Sequence, residues 1–228
     1  MANIVILFVF GAVIGSFLNV IGLRWDTKYF LGRSRCSHCN KILRWYELIP
    51  ILSFLFLLGR CRGCGGRISF QYPLVEIWTG LIFVTVPTMF IPVLCLYIVI
   101  SIYDFHHKII PNSMVYSSII LNSIYIYSNL MAGLVLFSFF ALIWLLSRGR
   151  AMGFGDAKLA LSAGLLLGMI KGLYALMISF WIGAAVGILL MIFKGKDITM
   201  KTELPFAPFL VLGIWLSLIF DLNFLHVF

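Results

Sequence analysis

The sequence predicts an all-α polytopic membrane protein of about eight transmembrane helices, with a zinc-binding cytoplasmic loop between the first two. Three observations predict it. Of 228 residues 62% are hydrophobic and 11% charged, with a mean hydropathy of +1.08, whereas soluble domains run near half apolar and a quarter charged. One soluble core of this size cannot bury so much apolar surface. Apolar runs of helical length recur along the chain, separated by proline and glycine turn signals. A single long polar interruption gathers nine of the seventeen lysines and arginines and two Cys-x-x-Cys pairs.

Residues 1–23, in "MANIVILFVFGAVIGSFLNVIGLR", read as the first transmembrane helix. No basic residue precedes the apolar stretch, which is too long for a signal-peptide core and lacks a small-x-small cleavage site. The positive flank follows it at Arg24 and Lys28, so its N-terminus is expected outside. Gly11 and Gly15 form a close helix-packing face, and Asn19 is expected to hydrogen-bond across the bundle. Arg24 is expected to snorkel toward lipid phosphates.

Residues 24–72 carry Arg24, Lys28, Arg33, Arg35, Lys41, Arg44, Arg60, Arg62 and Arg67 against only Asp26 and Glu47. Such a loop belongs in the cytoplasm. Its apolar run "LIPILSFLFLLG" is too short to span; it lies in the interface, dips in as a re-entrant segment, or packs on the bundle.

Residues 73–228 form the membrane bundle, with helices expected at 74–90, 92–104, 113–129, 132–147, 157–170, 173–193 and 205–225. Pro87, Pro92, Pro111, Gly153 and Gly155 punctuate them. Alternating from the first helix puts 24–72, 105–112, 148–156 and 194–204 on the cytoplasmic side. Those segments and their helix ends take sixteen of the seventeen basic residues, leaving only Lys171 outside. The net charge of +9 is therefore a topology signal and not a sign of nucleic-acid binding.

"CSHC" at 36–39 and "CRGC" at 61–64 are separated by 21 residues. Two thiolates from each turn complete a tetrahedron around zinc, a closed structural site. A reducing compartment disfavours the alternative of two disulfides, and no thioredoxin-like context supports a redox pair. His38 reads as a loop residue, Cys95 as a small apolar residue within a helix.

Most acids have plain explanations. Asp197 and Glu203 fall in a polar loop, Asp221 lies near the end of the last helix, and Glu76 sits in the first turn of the second helix, where the dipole favours a carboxylate. Asp104, in "SIYDFHHKIIPN", and Asp156, in "GFGDAK", differ. Fifty-two positions separate them, yet the topology brings both to the same membrane boundary. Two facing carboxylates share one proton, leaving an acid and a base around one water, which is the chemistry of hydrolysis without a covalent intermediate. Gly153 and Gly155 would let an extended substrate strand approach. The plainer alternative makes each aspartate a helix cap; it suits Asp156, but an acid at a helix C-terminus, as at Asp104, opposes the dipole. No GxSxG, HExxH, Walker or dinucleotide-glycine pattern is present, and His106 and His107 are expected in a loop at the headgroups.

These segments resemble the bacterial type IV prepilin peptidases, inner-membrane aspartic proteases that share a GxGD motif. The resemblance runs in order through "GAVIGSFLNVIGLR", the cysteine loop at 33–76, "DFHHKIIPN", "GFGDAKL" and "ELPFAPFLVLG". It implies that Asp104 and Asp156 are the catalytic pair and that Cys36, Cys39, Cys61 and Cys64 hold zinc. It also implies prepilin and pseudopilin substrates, cleaved after their basic leader on the cytoplasmic side, and S-adenosylmethionine as donor for N-methylation of the new N-terminus. Two positions depart from the commoner pattern: Asn112 stands where many members have Asp, and Ala207 where glycine is commoner. Two other function classes remain beside the peptidase. A non-enzymatic membrane assembly factor would use the zinc loop to dock partners, and a transporter would use intramembrane carboxylates for proton coupling, which favours acids near the midplane.

Overall fold

The computed structural model describes residues 2–26, 32–125, 129–150, 152–194 and 204–220. Lys28, Asp197, Glu203 and Asp221 lie outside the described residues. Among those described, the regular elements are helical, and β structure is limited to two isolated bridges. The α-helices are α1 (Ala2–Arg24), α2 (Leu52–Phe56), α3 (Gln71–Thr85), α4 (Ile91–His107), α5 (Asn112–Tyr125), α6 (Leu130–Ser147), α7 (Phe154–Lys194) and α8 (Ala207–Ile219).

Local chemistry sets several boundaries. Val86, extended at φ −113° and ψ 141°, precedes Pro87, whose ring disfavours helical geometry at that position. Arg148 and Gly149 both take positive φ after α6, a left-handed helix stop. Phe206 precedes α8, and Pro208 occupies its first turn, where no intrahelical N–H is lost.

Among the described residues, four segments are long and apolar enough to cross a membrane: Asn3–Arg24, Thr88–His107, Leu130–Ser147 and Phe154–Phe193. The last is not one rod. Its 40 residues would extend about 60 Å as a straight helix, twice a bilayer's hydrocarbon thickness. Gly168, at φ 77° and ψ −176°, breaks it. A continuous helix would separate residues eight apart by about 12 Å, yet a Cβ on Gly172 would lie 3.9 Å from Gly164 Cα. The chain doubles back, so the helices expected at 157–170 and 173–193 are two arms joined directly at Gly168.

The chain divides into two compact units, Met1–Ile91 and Pro92–Phe228. In the first, α1 packs along α3 through its glycines. A Cβ on Gly11 would sit 2.9 Å from Gly80 Cα, and one on Gly15 would sit 2.8 Å from Thr79 Oγ1. Asn19 is fully buried and donates to the carbonyls of Gly15 at 3.3 Å and Tyr72 at 3.5 Å, the interhelical role expected of it. Arg24 donates to the Gly32 carbonyl at 2.8 Å, so its guanidinium closes the start of the loop.

In the second unit, Leu136, Phe140, Ala157, Ala160 and Leu176 form an apolar cluster between α6 and the two arms of α7. Beside it lies a buried polar knot. Tyr97 Oη donates to Ser162 Oγ at 2.9 Å, Ser118 and Ser162 share a bond at 2.8 Å, and Asn122 Nδ2 donates to the Ser162 carbonyl at 2.9 Å. These bonds join α4, α5 and α7 where no water competes.

Candidate active site and metal centre

Asp104 lies one turn from the end of α4 and is only 5% exposed. Its Oδ2 accepts a hydrogen bond from the Ala207 backbone N–H at 3.2 Å. Ala207 opens α8, so this N–H is one of the helix-end donors that lack an intrahelical partner. Asp156 is the third residue of α7, and its N–H reaches the Gly153 carbonyl at 3.2 Å. The two carboxylates are near enough to interact electrostatically.

The glycines before Asp156 serve close approach. A Cβ on Gly155 would fall 2.9 Å from Ile110 Cβ, so only glycine lets this turn seat against the α4–α5 connection. On Gly153 a Cβ would lie 3.5 Å from Asp156 Oδ2, taking up space beside the carboxylate. Lys158 ties the start of α7 to that of α5 by donating to Asn112 Oδ1 at 2.9 Å, and its ammonium lies over the Tyr116 and Phe154 rings. The Asn112 departure is thus chemically served, since an amide oxygen accepts from lysine as a carboxylate would.

Two placements differ from expectation. His106 and His107 occupy the last turn of α4, not a loop, because the helix runs on past Asp104; His107 stacks on Tyr103 at 4.4 Å. Glu76 is not in a first turn, because α3 begins at Gln71. Its buried carboxylate instead accepts the Ile51 N–H at 2.7 Å, which sequence spacing gives no means of finding. The Ala207 N–H on Asp104 was not foreseen, because a backbone donor carries no side-chain signal.

The four cysteines sit on two turns of matching construction. Cys36 N–H reaches the Lys41 carbonyl and Asn40 N–H the Cys36 carbonyl; Cys61 N–H reaches Gly66 and Gly65 N–H reaches Cys61. The bridges Arg35–Ile42 and Arg60–Arg67 close the two turns. Asn40 and Gly65, at φ 55° and 70°, occupy equivalent left-handed positions, which Asn and Gly tolerate best. All four sulfurs lie within 4.8 Å of one another and none is in a disulfide.

The donor set fits zinc. Cys36 and Cys64 Sγ are 3.9 Å apart, and a tetrahedron with bonds of about 2.3 Å has edges of about 3.8 Å. The N–H groups of Cys39 and His38 draw the Cys36 thiol down to about 6, and those of Cys64 and Gly63 lower Cys61. Gly66 N–H favours the Cys64 thiolate, but the crowding sulfurs push that group up to about 11. Four thiolates this close need a cation between them. His38 lies outside the quartet, its Nε2 3.3 Å from the Arg67 carbonyl.

Helices long enough to span, two aspartates at helix ends near enough to interact and a four-thiol loop define a polytopic membrane protein. The model of the Bacterial Peptidase A24 N-terminal domain matches residues 9–90, and that of the Type IV leader peptidase family matches residues 89–188. A prepilin leader peptidase/N-methyltransferase of Bacillus subtilis is 33% identical over 227 residues, covering 91% of this chain and 90% of that one. The enzyme of the same name from Aeromonas hydrophila is 30% identical, covering 94% and 89%. One from Myxococcus xanthus is 36% identical, covering 84% of this chain and 64% of its own. No solved structure matches the chain. This chain belongs to the prepilin leader peptidase/N-methyltransferase family, and it is an enzyme; the assembly-factor and transporter readings are not favoured.

Proposed function

We propose that this chain is a membrane aspartic endopeptidase that removes the basic leader from prepilins and pseudopilins, with Asp104 and Asp156 as its catalytic pair. The observation that carries the reading is that residues 52 positions apart in sequence lie near enough to interact electrostatically, with a helix-end N–H on Asp104. One carboxylate, ionised, takes a proton from water as the oxygen attacks the scissile carbonyl. The other, protonated, hydrogen-bonds the carbonyl oxygen, and a proton then passes to the leaving amine. The Ala207 N–H orients Asp104 so that its second oxygen stays available. The distribution of lysines and arginines supports a cytoplasmic location for this site in a bacterial inner membrane, where a leader meets the start of an apolar pilin helix.

Zinc is the metal that best suits the four thiols, and its role there is to brace the loop. S-adenosylmethionine, when bound, supplies an electrophilic methyl group for the new N-terminus. The first unit forms a partly open cavity of about 530 Å³ lined in part by Ser16, Arg24, Phe54, Arg67, Tyr72 and Glu76, within the usual range for small organic ligands. A buried carboxylate for a cationic group, guanidinium groups for a carboxylate and rings for a nucleobase fit that donor.

The test is cleavage of a prepilin by the chain in membranes. Asp104→Asn and Asp156→Asn, each at matched accumulation, are expected to lose at least about a hundredfold in rate. Normal cleavage by both variants would make the aspartates helix caps and end the catalytic assignment.

A further inference from the structure

The apolar run within the polar loop has a use that peptide cleavage does not absorb. Residues 52, 55 and 56 fall within about 100° of arc on a helix, while 53, 54 and 57 share the opposite arc. The structure follows that division. Ser53, Phe54 and Leu57 line the cavity, whereas Leu52, Leu55 and Phe56 are exposed, Phe56 to 83%, and Leu58 just beyond is 86% exposed.

Two contacts fix the height of α2 against α3, which packs along the spanning α1. The Phe54 ring meets Phe70, immediately before α3, edge-on at 5.7 Å. Ile51, directly before α2, donates its N–H to Glu76 in the second turn of α3 at 2.7 Å. To do so, Ile51 adopts φ 62° and ψ −52°, a strained conformation for a β-branched residue. The sixth residue of α3 is about 8 Å along its axis, so α2 is held level with the first turns of α3.

The flanking residues carry headgroup chemistry. Trp45 is 78% exposed and packs edge-on against Tyr46. Arg44 donates to the Tyr46 hydroxyl at 3.2 Å, and the Arg62 guanidinium lies over the Tyr46 ring at 5.6 Å. Trp and Tyr beside arginines mark the level of lipid headgroups. We propose that α2 lies flat in the phospholipid leaflet on the loop side, with Leu52, Leu55, Phe56 and Leu58 against acyl chains and Arg44 and Arg62 on headgroup phosphates. The cysteine turns are then anchored to the bilayer by a surface independent of α1 and α3.

Photo-cross-linking of the full chain in phosphatidylglycerol–phosphatidylcholine vesicles tests this, with benzoylphenylalanine replacing one residue at a time. Position 56 is expected to give a lipid adduct, as is Phe10 on the exposed face of α1, which controls for the reagent. At Leu57, which lines the cavity, the adduct is expected to be lost. A cross-link from 56 to another part of this chain, or no adduct at 56 while Phe10 reacts, would overturn the proposal. So would equal lipid labelling at 56 and 57, which would mean no sided insertion.

Discussion

At the scale of single residues, Glu47 shows what a charge does where the fold has bound it on both sides. Its Oε2 accepts the Arg44 N–H at 2.8 Å and its Oε1 the Lys41 ammonium at 3.1 Å. These contacts, the Arg44 N–H foremost, hold the carboxyl below its usual range. A group depressed in the folded state stabilises it above the unfolded-state value, and that contribution is lost as pH falls through the folded value. Glu47→Gln is therefore expected to lower loop stability at neutral pH by about 1–3 kcal/mol and to flatten its acid sensitivity, read by hydrogen exchange of residues 41–48 between pH 3 and 7. An unchanged acid profile would assign that sensitivity to another group. Residues of this kind differ in how openly a sequence declares them. Asp104 and Asp156 were legible because a carboxylate beside apolar runs is expensive. Cys36, Cys39, Cys61 and Cys64 were legible because two tight turns must each offer two thiols. Glu76 was misread because α3 begins at Gln71 with no side-chain cap to mark it, and its partner is a backbone N–H twenty-five residues away.

Among the elements, α7 is the one whose order depends on a single backbone position. Gly168 sits at φ 77° with ψ near 180°, a region reserved almost wholly to glycine and costing other residues about 1–3 kcal/mol. The Asn129 side chain adds to the constraint, standing 3.4 Å from where a Cβ at 168 would be. Gly168→Val is expected to lower the midpoint of thermal unfolding in detergent and to reduce accumulation in membranes. Gly187→Ala on the second arm, where a Cβ would make only an ordinary 3.5 Å contact with Leu204, should be nearly neutral in the same assay. Equal losses for both would mean that the reversal tolerates a side chain and that helix packing sets the cost. Hydropathy made both arms visible and Lys171 suggested a turn near them. The direct reversal at Gly168 was not legible, because an isolated glycine in an apolar run also reads as a packing contact.

For the whole molecule, the decisive fact is where the two chemistries reside. The first unit, Met1–Ile91, holds all four clustered cysteines, and the second, Pro92–Phe228, holds Asp104, Asp156 and Ala207. The two matching family models meet at residues 89–90, beside the same division. The loop around the thiols has little apolar core, and two of the four cysteines are exposed, so bound metal would supply much of its folding energy. The carboxylate pair needs no metal to divide one proton between acid and base. Chelation, or Cys36→Ser with Cys61→Ser, is therefore expected to loosen residues 33–70 in hydrogen exchange at once. Prepilin cleavage should persist at first and decline only as the chain itself unfolds or aggregates. The pH profile of the remaining cleavage should keep both its limbs, since the two limbs together report the aspartate pair. Immediate loss of turnover in a chain that is still folded, restored at once by added zinc, would instead put a metal ion in the peptidase reaction and remove the reason for treating Asp104 and Asp156 as sufficient.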